Sequence, residues 1–82
     1  GGRAEAMEFI VSPATRHLGV PLKDLRLRKG VLIAVIVRGK KVIIPEGSTC
    51  LEEKDDVIVI ARDSGILDLN DIYADSGLGA GG

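Results

Sequence analysis

The seven-residue run Val31-Leu32-Ile33-Ala34-Val35-Ile36-Val37 constrains the fold more than any other part of the sequence. Branched residues dominate it and no polar residue alternates with them, which is the pattern of a central strand buried on both faces. It is far too short for the roughly 20 residues that a helix needs to cross a bilayer, so no direct membrane insertion is expected. Arg38-Gly39-Lys40-Lys41 follows, and Gly39 is free to take a positive φ. Val42-Ile43-Ile44 then returns as a paired strand until Pro45 removes a donor. These residues predict a hairpin in the middle of a sheet.

The remaining elements are arranged around that hairpin. Met7, Phe9 and Val11 alternate with Glu8 and Ile10, a period of two that predicts a first strand, stopped by Ser12-Pro13. Between Leu18 and Leu27, five apolar residues surround Pro21, which suits the first turn of a short helix of about two turns. Glu46 to Asp56 carries five acidic residues and reads as a polar surface connection, with Leu51 as its inward anchor. Val57 to Ala61 is a further branched strand. Asp63 or Ser64 can then cap a helix whose Ile66, Leu69, Ile72 and Tyr73 recur at spacings of three and four. The expected fold is α+β, a four-stranded, mainly antiparallel sheet with a short N-terminal and a C-terminal helix, in the order β-α-β-β-β-α.

Eighty-two residues hold one domain with one modest core. The expected division is a flexible segment 1–4, a folded domain 5–74 and a flexible glycine-rich tail 75–82. A formal net charge of -1 gives the whole molecule no electrostatic preference for nucleic acid or an anionic membrane. The single cysteine, Cys50, has no internal disulfide partner and fits a reducing cytoplasm. No basic segment followed by an apolar stretch opens the sequence, so no secretory signal is expected in it.

The ordered series Gly19-Val20-Pro21-Leu22-Lys23-Asp24-Leu25, then VLIAVIVRGKKVIIPEGST, then EKDDVIVIA resembles the TrkA C-terminal, or RCK_C, family over roughly Glu5 to Ala74. That resemblance implies a cytoplasmic regulatory, ligand-sensing domain at the inner face of the cell membrane, serving a potassium channel or transporter subunit of Trk/Ktr type. It implies pairing as a homodimer, whose groove in some members binds cyclic di-AMP. It also places NAD or ATP in a nucleotide-binding Rossmann half that normally precedes this domain. No strand followed by GxGxxG occurs in these 82 residues, so no cofactor is expected here. The cyclic di-AMP-binding members carry an asparagine early in the central strand where Leu32 stands in this chain. Leucine there removes both a donor and an acceptor.

A symmetric dimer presents each basic side chain twice, once to each phosphate of a twofold ligand. Arg28, just before the central strand, and Arg38, at its end, are the candidate ligand-binding cations. Val31, Ile43, Ile44 and Pro45 are the candidate apolar walls for adenine. The plain alternative for both arginines is a solvated side chain at a strand end. Eight of the eleven Lys and Arg residues fall between Arg16 and Lys41, which motivates an alternative reading as an RNA- or ribosome-associated module. Phe9 and Tyr73 are too few aromatics for base stacking, so nucleic acid is not the expected partner.

No catalytic or metal-binding residues are expected. His17 has no Ser or Cys placed as a nucleophile beside it and reads as a surface or hinge residue. Cys50 lacks a second thiol for a zinc knuckle or redox pair. Asp55-Asp56 does not read as a paired-carboxylate or divalent-ion site, because adjacent strand carboxylates point to opposite faces, and a turn is expected there. Asp68 to Ile72 lacks the glycine and terminal glutamate of a calcium loop.

Overall fold

The computed structural model of the chain describes residues 3–62 and 65–74. Four strands form one antiparallel sheet: β1 (Ala4–Ile10), β2 (Val31–Arg38), β3 (Lys41–Ile43) and β4 (Asp56–Arg62), ordered β1-β4-β2-β3 across the sheet. β4 is central with β2, and both are lined by branched residues that fill the pleat. Gly39 turns the β2–β3 hairpin at a φ of 62°, as its lack of a Cβ permits.

One irregularity decides which side chains enter the core. Ile33 pairs with Val59 but Val35 pairs with Ile58, so Ala34 is an extra residue, a β-bulge. Up to the bulge the odd-numbered Val31 and Ile33 face the core; beyond it the even-numbered Ile36 and Arg38 do. Ile33, Ile36, Val57, Val59 and Ala61 are thereby buried on one face. The opposite face is open, with Leu32 58% exposed, so the expectation of a strand buried on both faces is corrected.

The second layer is built of turns. Leu51, Ile66, Leu69, Ile72 and Tyr73 close over the sheet together with Val11, all at most 5% exposed, and Leu18, Leu22, Leu25 and Leu27 pack around them. Among the described residues there is no α-helix, which corrects both expected helices. Between Leu18 and Leu27 only Leu22–Asp24 forms a single 3₁₀ turn. Leu22 and Lys23 donate their amides to the carbonyls of Thr49 and Gly47, at 2.8 and 3.0 Å, tying this segment to the connection after Pro45. Leu25 is extended, and the chain continues into a bridge between Leu27 and Tyr73. A helix of about ten residues is marginal by itself, so tertiary hydrogen bonds override it.

The expected C-terminal helix is likewise one 3₁₀ turn, Leu69–Ile72. Ile66, Leu69 and Ile72 are spaced by three, which suits three residues per turn. Asp68 caps this turn through Asn70 N, and the Asp71 carboxylate reaches back to Asp68 N at 3.0 Å. The expected caps Asp63 and Ser64 lie outside the described residues.

Deleting Ala34 should turn Ile36 and Arg38 to the open face and abolish the cooperative thermal transition. Ala34→Gly, which keeps the count of residues, should cost only about 0.5–1 kcal/mol in urea denaturation.

Candidate functional site

β3 reaches only Ile36 to Arg38 of its neighbour, so among the described strands none pairs with β2 on that side from Val31 to Val35. Beside this edge lies a groove of about 260 Å³ lined by Leu22, Lys23, Leu27, Leu32, Ile33, Pro45, Glu46 and Gly47. The Pro21-to-Lys23 segment holds one wall because it is hydrogen bonded to residues 47–50. That approach is close: a Cβ on Gly47 would lie 3.3 Å from the Lys23 Cβ. The floor is aliphatic, with Lys23 and Glu46 supplying one charge of each sign at the rim.

Of the six candidate ligand residues read from the sequence, the structure places Pro45 alone in this groove. Val31 and Ile43 are partly buried and pack against the core, and Ile44 is 68% exposed beyond the end of β3. Arg28 donates its amide to Ile72 O at 2.9 Å and its Nη1 to Asp71 O at 3.0 Å, tying β2 to the C-terminal turn. Arg38 is engaged still more fully. Its Nε and Nη2 donate to the two oxygens of Asp55, each at 2.8 Å, Nη2 also donates to Cys50 O, and Nη1 lies 3.0 Å from Glu52. Arg28 and Arg38, both among the eight cations behind the nucleic-acid alternative, are therefore held by internal bonds.

No motif or periodicity in the sequence marks Leu22, Lys23, Leu27, Ile33, Glu46 and Gly47 as site residues. The one available signal was the pairing of Gly19-to-Leu25 with the segment after Pro45, which no local periodicity expresses. Leu32 was singled out, as the position where an asparagine stands in cyclic di-AMP-binding members, and it does line the groove.

The acidic doublet divides. Asp55 is 1% exposed, so the expectation of a wholly superficial 46–56 connection is corrected. Burial pushes its carboxyl up, but the bidentate Arg38 and the amide of Glu52 outweigh this and hold it below the usual carboxylate range. The same hydrogen bonds hold Arg38 charged, above its ordinary value. Asp56 opens β4 rather than sitting in a turn, and lies on the open face beside Glu8 of β1. Hydrogen bonding to Asp56, then its negative charge, raises Glu8 above its ordinary value. Asp56 Oδ1 is buried with no hydrogen-bond partner among the described residues.

His17 has a φ of 65° and meets the Tyr73 ring edge-on at 4.6 Å, while Tyr73 donates its hydroxyl to Arg16 O. His17 is half-buried in its turn. Among the described residues no cluster of three or more His, Cys, Asp or Glu is placed to hold a metal, and no helix is long and apolar enough to cross a membrane.

The TrkA-C domain model matches residues 6–74. This chain belongs to the TrkA-C domain family. It is 41% identical over 64 residues to a Trk system potassium uptake protein TrkA homolog of Methanosarcina mazei, covering 78% of this chain and 14% of that protein. A TrkA homolog of Archaeoglobus fulgidus is 39% identical over 68 residues, 83% of this chain and 16% of its own length. A potassium/proton antiporter of Shewanella oneidensis is 30% identical over 70 residues, 85% of this chain and 12% of its own length. The TrkA-C domain thus spans a small part of each relative. A solved RCK domain with cda superposes with a TM-score of 0.60 at 20% identity, over 71% of this chain and 81% of that one, a likeness of fold.

Asp55→Asn should cost about 2–4 kcal/mol in chemical denaturation, because Arg38 loses its buried, bidentate ionic partner and keeps only the exposed Glu52. The Asp55 contribution is present above the unfolded carboxylate range and is lost as pH falls through its lowered folded value, so the variant should also show a shallower acid transition. Glu8 has the opposite sign: its contribution is present at low pH and is lost as pH rises through its raised value. Glu8→Gln, whose amide donates at every pH, should raise the neutral-pH melting temperature.

Proposed function

We propose that this domain is the cytoplasmic regulatory, ligand-sensing module of a potassium transport system of Trk/Ktr type, working as a homodimer and without catalytic activity of its own. The observation that carries the reading is the aliphatic groove beside the open edge of β2, with a single lysine at its rim, in a TrkA-C domain. The potassium uptake proteins and the antiporter among its relatives support the transport setting. The partner is then a membrane channel or transporter subunit, and NAD or ATP belongs to the separate Rossmann half.

Cyclic di-AMP is the proposed ligand. Leu27, Ile33 and Pro45 line the groove with apolar side chains suited to an adenine face, and Lys23 offers a point charge to a phosphate. The RCK neighbour, solved with cda, lends support through its fold. Arg38 contributes to stability through Asp55, so the binding cation is assigned to Lys23 instead. A ligand that binds one dimer geometry more tightly shifts the pair toward it, and that shift is what the transport subunit senses.

Calorimetry of the 82-residue chain with cyclic di-AMP tests this. The wild type should give a saturable heat, and Lys23→Ala should weaken binding about tenfold, or roughly 1.4 kcal/mol. Leu32→Asn, by restoring a donor and an acceptor at the groove, should tighten it. No heat and no thermal shift from either wild type or Leu32→Asn sinks the nucleotide reading.

A further inference from the structure

Among the described residues none covers the face of the sheet turned away from the core, and that face is largely apolar. Ile10, Leu32 and Val42 are 60, 58 and 66% exposed there, and Val37, Ile58 and Ile60 lie between them, half-buried only by their neighbours in the sheet. A band of this kind on four adjacent strands marks an interaction surface rather than isolated exposed residues. Its charges are segregated by sign. The Glu8–Asp56 pair occupies one end, and Arg62, paired with Ala4, occupies the other. Asp56 and Arg62 are the first and last residues of β4, about 20 Å apart at the rise of an extended strand.

This pattern is self-complementary in one orientation. We propose that the open face docks a second copy of the chain, the two sheets stacked with their strands antiparallel so that Arg62 of each copy meets the Glu8–Asp56 pair of the other. A twofold axis lying between the sheets and across the strands makes that contact twice. Stacked sheets keep their strands within about 30° of one another at a separation of about 10 Å, a gap that facing isoleucine and valine side chains fill. A parallel stack instead places acid over acid and arginine over arginine. The antiparallel stack also preserves strand order from one sheet to the other, so the two open β2 edges lie on the same side and both grooves open there together. The inference rests on the homodimer reading above and adds the surface, orientation and polar contacts.

Sedimentation equilibrium of the 82-residue chain at low salt decides it. The wild type should dimerise, Arg62→Glu and Glu8→Lys should each weaken the dimer tenfold or more, and the double variant should recover most of the loss, because the reversed charges face each other again. Raised salt should weaken the wild-type dimer. Glu8 and Arg62 are both exposed, so these variants should keep the wild-type circular dichroism spectrum. Ile60→Lys, at the middle of the face, should leave the chain monomeric. A monomeric wild type at high micromolar concentration overturns the proposal, as does a dimer unchanged by Arg62→Glu and Ile60→Lys. Singles whose losses simply add in the double variant overturn the antiparallel register. A dimer that ignores these substitutions yet gives heat with cyclic di-AMP sinks this inference alone, while the predicted dimer without that heat sinks the sensing reading alone.

Discussion

A single extra residue, Ala34, sets the direction of every later side chain in β2. In an unbroken pleat the side chains alternate strictly, so one added residue exchanges the two faces from that point on. Ile36 is thereby placed at the centre of the core, at 0% exposure, and Arg38 is turned inward with it. Arg38 then reaches Asp55, the Cys50 carbonyl and Glu52 and fastens the connection between β3 and β4 to the end of the central strand. An arginine that looked like a ligand contact from its place in the chain is a structural clamp because of this change of parity.

The layer covering the sheet is held by hydrogen bonds between segments far apart in sequence. Residues 21–23 bond to 47–50, and residues 26–28 bond to 72–74. These bonds satisfy backbone groups between distant segments, and Leu18, Leu22, Leu25 and Leu27 pack around the core with them. The same arrangement leaves β2 without a described neighbour from Val31 to Val35 and builds the groove beside it, so the missing helices and the candidate site have one cause.

Two adjacent aspartates show how strongly the sides of a sheet differ. Asp55 is buried under Arg38 and held ionised, whereas Asp56 belongs to the open face and shares its surroundings with Glu8. Asp55 is lowered because it faces a cation, whereas on the open face Glu8 is raised by hydrogen bonding to Asp56 and by that residue's negative charge. The acidic end of the open face follows from Asp56 falling inside β4 instead of in the preceding turn.

Much of the sheet was legible in the sequence. Four strands, the Gly39 hairpin and the inward Leu51 follow from branched runs, a period of two and a glycine, which are local signals. The ordered segments from Gly19 to Ala61 were also enough for the family resemblance. Spacings of three and four in Ile66, Leu69, Ile72 and Tyr73 marked buried residues correctly but not a helix, since a 3₁₀ turn and an extended exit bury them equally well. Only the tertiary structure decided the bulge at Ala34, the engagement of Arg28 and Arg38, and the union of Lys23, Leu27, Ile33 and Pro45 around one groove. Periodicity reports which residues prefer the interior, whereas strand register and long-range hydrogen bonds choose which of them meet.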